Sequence, residues 1–185
     1  MGRWKHVKWT EAGQVASILG WKPAPEDRSD PEARFDALRA AGKPDEAAMY
    51  LGQALSRFEA VAWAARAVRD LSPPERPRAD SDALKAALLW LQDPSESRRR
   101  AAFDAAQAAS DSGPERLCAL AAFFSGGSMA PETVQLVLAP KDATGRLAAA
   151  AVLMAAMATD RHIEALDKAL DWGEALASGT EPAHA

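Results

Sequence analysis

The side chains able to do chemistry in this chain are few and scattered. Its histidines are His6, His162 and His184, and its single cysteine is Cys118. A zinc pair on a helix needs ligands one turn apart, and His162, in "DRHIEA", has no second histidine at i+4. No metal and no other cofactor is expected. A nucleophilic cysteine needs a base or a helix N-terminus to lower its pKa. Cys118 sits near a helix start but runs into the apolar "ALAAFF", which favours a buried core thiol. Arg98-Arg99-Arg100 has the composition of an anion or nucleic-acid site. Consecutive residues on a helix are turned by about 100°, so the three side chains do not converge. The acidic pairs Glu26-Asp27 and Asp45-Glu46 stand in a linker and a first turn, where acids suit the helix dipole. No catalytic residue is assigned.

Two stretches stand out as surfaces. In "AAFFSGGSMAP", Ser125-Gly126-Gly127-Ser128 has the look of a phosphate loop. Such a loop needs a strand before it and a helix N-terminus after it. Here a helix comes first, so the glycines read as a left-handed helix stop. Phe123 and Phe124 then pin the turn to the core, and Ser128 and Met129 are what it presents to a partner. The N-terminal "RWKHVKW" carries Trp4 and Trp9 among basic residues. It is either a strap packed on the body or an arm that docks on another protein, and both tryptophans are candidate partner contacts.

The remaining residues describe the scaffold that positions these stretches. Thr10 can cap a short helix that buries Val15, Ile18 and Leu19, and "KPAPEDRSDP" breaks it. Asp30-Pro31 and Pro44 each open a helix, with Gly42 ending the first. Ser56 and Glu59 form a capping box ahead of Phe58, Val61, Ala65, Val68 and Leu71 at helical spacing. Ser81 is expected to cap the next helix. Asp93, with Pro94 and Glu96, is expected to start the one after. Pro114, then Asp142 or Thr144, then Asp160 open the last three. "PETVQLVL" reads either as one or two helical turns or, given its valines, as an extended stretch. Period-2 alternation is absent. The expected fold is all-α, an irregular stack of antiparallel helical hairpins with about seven or eight helices and no sheet. Residues 1–29 form an aromatic and basic segment with a short helix and linker, residues 30–178 the helical domain, and residues 179–185 a disordered tail. Trp63, Trp90, Phe103, Phe123, Phe124 and Trp172 are the expected large anchors among alanines. A tetratricopeptide array is disfavoured, because a step of about 34 residues from Leu51-Gly52 lands on Lys85-Ala86.

Composition narrows the function classes. With 22 basic and 26 acidic residues the net charge is -4, which argues against nucleic acid as the main partner. One cysteine permits no internal disulfide and fits a reducing compartment. The longest apolar run, Leu147 to Ala158, is too short for a bilayer, which needs about 20 residues. A cytoplasmic protein is expected.

The segments "AAMYLGQALSRFEAVAWAARAVRDL", "ALLWLQDPSESRRRAAFDAA", "LAAFFSGGSMAP" and "RLAAAAVLMAA" resemble an uncharacterised family of small, alanine-rich, all-helical bacterial proteins. The resemblance spans about residues 35 to 175. It implies a setting near secretion-system and effector components, and it carries no activity onto any residue. The expected function is a non-catalytic helical interaction protein: an adaptor, chaperone or accessory factor that binds another protein. The alternatives are a small enzyme with a shallow site near Gly126-Gly127, using Cys118, Ser125 or Ser128, and an anion or nucleic-acid binder through Arg98 to Arg100.

Overall fold

Alanine-rich helices pack with short interaxial distances, and a helix that is apolar on every side belongs in the centre. The helix "ATGRLAAAAVLMAAM" meets both conditions. In the computed structural model, which describes residues 2–131 and 133–180, it is the hub. The described residues form nine α-helices: α1 (Ala12–Leu19), α2 (Pro31–Ala40), α3 (Pro44–Ala54), α4 (Arg57–Leu71), α5 (Arg78–Gln92), α6 (Glu96–Ala108), α7 (Pro114–Phe124), α8 (Ala143–Met157) and α9 (His162–Ser178). A 3-10 turn, Pro25–Arg28, lies in the expected linker. The count exceeds the expected seven or eight. The all-α class holds among the described residues, with one isolated β-bridge, Ser128 to Leu138, outside the helices.

Helix α8 packs on α3, α4, α7 and α9 at once. Ala148, Ala149, Ala151, Val152, Ala155 and Ala156 are all buried and line one broad face of the helix. Where α3 meets α8 the backbones touch. A Cβ on Gly52 would stand 2.6 Å from Gly145 O, and a Cβ on Gly145 would stand 2.6 Å from Gly52 O. Only glycine at both positions allows this approach. Trp63 fills the space beside the crossing and donates its indole N–H to Ala169 O at 2.7 Å. The fully buried Tyr50 and Phe35 join Trp63 and Trp90 in one core, while Phe103, Phe124 and Trp172 sit half-buried at its margin.

Several element starts follow their sequence signals. The Ser56 capping box is complete: Glu59 N–H donates to Ser56 Oγ (3.2 Å) and Ser56 N–H to Glu59 Oε2 (3.3 Å). Asp30, Lys43, Gly113 and Asp142 precede first turns, three of which begin with proline. Other starts differ. Helix α1 is capped from Glu11, with the Gln14 side chain accepting from the Thr10 and Glu11 amides. Helix α5 begins at Arg78, ahead of Ser81. Buried Asp80 is the cause: it faces inward and accepts from the Ser110 amide (2.7 Å) and hydroxyl (2.9 Å). Helix α6 begins at Glu96, so Asp93 closes α5 instead of opening α6. Helix α9 begins at His162 after Arg161. Gly179 and Thr180, expected in the tail, close α9, with Thr180 N–H donating to Ala175 O at 3.0 Å. Residues 181–185, with His184, lie outside the described residues.

The N-terminal segment shares this core. Val15 and Leu19 of α1 and Trp4 before it belong to the same buried cluster as Trp63 and Tyr50. Among the described residues no helix is long and apolar enough to cross a membrane.

Candidate interaction surface

The Gly126-Gly127 turn is built from below by α6. Gly127 adopts φ 64°, the left-handed conformation that glycine takes at little cost. Arg99 lies buried beneath it. Its Nη1 donates to Phe123 O (2.6 Å) and its Nη2 to Ser128 O (2.7 Å), while Glu96 takes a bidentate pair at 2.7 Å. The guanidinium also stacks on the Phe123 ring, 4.5 Å from its centroid. Phe123 in turn contacts Phe103 and Phe124. Arg100 reaches Ala130 O (2.9 Å) and also pairs with Glu96. Arg99 and Arg100 hold the Glu96 carboxyl below its ordinary pKa, the Arg99 hydrogen bonds being the larger cause. Arg98 turns away toward Asp93, 3.9 Å distant. The arginine run thus diverges as helical spacing requires, and its inner members serve carbonyls and Glu96.

Ser128 and Met129 are placed differently from expectation. Both are half-buried. Ser128 Oγ accepts from the amides of Ala130 (3.1 Å) and Val137 (3.2 Å), and Met129 N–H donates to Val137 O (2.7 Å). Their role is to staple a returning segment, residues 133–139, against the turn. That segment is the part presented to solvent. Val134 is 57% exposed, Leu136 64% and Leu138 68%, and Val137 is exposed beside them. Within "PETVQLVL", residues 134–138 are therefore extended after a turn at Thr133, and the side chains of Val134, Leu136, Val137 and Leu138 are not folded inward. The valine content hinted at extension; the exposure of its leucines was not legible.

Of the two readings of the N-terminal stretch, Trp4 takes the packed one and lies in the core. It is 6% exposed and meets Phe35 at 5.2 Å between centroids. Arg3 locks the strap by a bidentate pair with Asp36 (2.8 and 2.6 Å) and a bond to Glu174 (2.7 Å), and the Lys5 and His6 amides share Ala177 O. The buried Trp4 indole N–H has no acceptor among the described residues. Trp9 is half-buried, and its indole N–H donates to Gln53 O at 3.2 Å. The strap packs through Trp4 on Phe35 of α2, through Arg3 on Asp36 of α2 and Glu174 of α9, and through Trp9 on Gln53 of α3.

The candidate nucleophiles are embedded in structure. Cys118 is buried, and burial, reinforced by Glu115, pushes its thiol up to about 12. Ser125 Oγ donates to Ala122 O at 2.7 Å. His162 is exposed at the start of α9. Among the described residues no cluster of three or more His, Cys, Asp or Glu could hold a metal.

Neither the curated proteins nor the solved structures contain a match to this chain. A family model does match, over residues 34–177, from the middle of α2 almost to the end of α9. The chain belongs to that family, described as a family of unknown function (DUF6931).

Proposed function

We propose that this chain is a non-catalytic protein-interaction protein, an adaptor, chaperone or accessory factor, and that its partner docks on the extended segment 133–138. One observation carries the reading. Val134, Leu136, Val137 and Leu138 stand exposed together on a segment whose base is clamped by Arg99, Ser128 and Met129. A free hydrophobic segment costs solubility, and a protein that retains one on a rigid mount has a use for it. An extended partner strand suits the segment, because backbone pairing gives affinity and alternate side chains give specificity. The raised Cys118 thiol and the internally bonded Ser125 and Ser128 support a non-catalytic role. The family resemblance suggests a secretion or effector component as partner, and the single cysteine suits the cytoplasm as setting.

The test is a Leu136→Asp/Leu138→Asp double variant. Both positions are exposed, so melting should shift by no more than about 0.5 kcal/mol equivalent. Affinity capture should lose the wild-type partner at least tenfold. Equal capture by the variant contradicts the reading.

A further inference from the structure

A cavity of about 380 Å³ lies at the seam between the N-terminal strap and the start of α8, lined by Lys8, Trp9, Ile18, Gln53, Arg57 and Lys141. That size falls in the range of small-molecule sites. A narrower recess of about 20 Å³ shares most of these residues and reaches Thr144 and Gly145 in the first turn of α8.

Its charge is uncompensated. Most arginines of the chain pair with carboxylates, but Lys8, Arg57 and Lys141 pair with none among the described residues. Lys8 Nζ rests 4.6 Å from the centre of the Trp9 ring, and Arg57 Nη1 donates to Ser125 O. Cations from three separate segments thus converge on one hollow, in a protein of net charge -4. The helix end adds to the field. Thr144 and Gly145 are in the first turn of a 15-residue helix, where amides lack intrahelical partners. Asp142 does not cap them and bonds Arg146 instead, at 2.5 Å.

A second, independent observation points to a ligand. Gln53 is 7% exposed, and its Oε1 has no hydrogen-bond partner among the described residues. It lines both the cavity and the recess. A buried acceptor without a donor is costly and calls for water or a bound group to satisfy it.

We propose that this cavity binds a small organic anion, a phosphate or a carboxylate. Its charge sits among Lys8, Arg57 and Lys141 at the start of α8, its apolar body lies along Trp9 and Ile18, and a donor group meets Gln53 Oε1. The site is independent of the segment at 133–138. It also differs from the Arg98–Arg100 run, whose inner guanidinium groups are committed to carbonyls and Glu96.

Titration calorimetry of the whole chain at low salt, with inorganic phosphate, citrate and phenyl phosphate, tests this. Saturable one-to-one binding of at least one anion is expected, weakening as salt rises. Lys8→Gln/Lys141→Gln should weaken it at least tenfold. Both lysines are exposed, so the fold is kept. Lys85→Gln/Lys168→Gln, the same charge change elsewhere, should leave it unchanged. Phenyl phosphate should bind more tightly than inorganic phosphate; equal binding overturns the role given to Trp9 and Ile18. No heat with any anion, or equal loss in both double variants, overturns the site. Co-sedimentation with phosphatidic acid vesicles in the absence of soluble-anion binding would assign the cations to a lipid headgroup and contradict a small ligand.

Discussion

At the scale of the residue, Arg99 decides the most. Helical spacing already showed that Arg98, Arg99 and Arg100 point apart. What spacing could not show is that Arg99 would be buried, because its acceptors are backbone oxygens 24 and 29 residues away. Nothing in a side-chain pattern marks a carbonyl as an acceptor. Arg99→Met should leave Phe123 O and Ser128 O unpaired, at about 1–3 kcal/mol each. Amide exchange should then quicken at Met129 and Val137 ahead of the rest of the chain. Unchanged exchange there would show that the turn holds itself. Cys118 was legible, since its apolar neighbours announced a core thiol. With its pKa raised to about 12 from an ordinary 9.0, the folded state favours the neutral thiol. That contribution to stability is complete below pH 9.0 and is lost as pH rises toward 12. Iodoacetamide at neutral pH should label Cys118 only after denaturation. Rapid labelling of folded protein contradicts the burial.

At the scale of the element, prolines and the Ser56 capping box marked starts well, because those signals act within one turn. Ser81 and Asp93 misled for a shared reason: tertiary demands outweighed local capping. Asp80 had to face the α6–α7 connection, which pulled α5 to an earlier start. Tryptophans among basic residues suit both packing and docking, so the sequence alone does not decide the role of the strap. Burial of Trp4 against Phe35, with Arg3 clasped by Asp36 and Glu174, makes it part of the fold. Trp4→Ala should therefore cost about 3–5 kcal/mol, read as a drop in denaturant midpoint. An unchanged midpoint would return the strap to the role of a free arm.

At the scale of the whole molecule, an alanine core is held by close approach more than by bulk. The all-helical class followed from periodicity; the apolar run of α8 was legible, but its central place was not. The contact of Gly52 with Gly145 did not, because a glycine inside a helix does not name the helix it will touch. Gly145→Ala should cost about 1–3 kcal/mol through overpacking, since the new methyl would meet backbone, Gly52 O at 2.6 Å and Gln53 Cα at 3.0 Å, as well as the Gln53 side chain. Among the described residues the body so formed leaves an extended apolar segment outside, and the function proposed for the molecule rests on that segment. Site-specific photo-crosslinking in cells that express the protein tests it most directly, with a benzophenone side chain placed at Leu136 or, as a control, at exposed Lys85. The account predicts a discrete adduct with a second protein from position 136, absent from position 85 and lost on Leu138→Asp. Absence of an adduct at 136, or the same adduct from both positions, would contradict it.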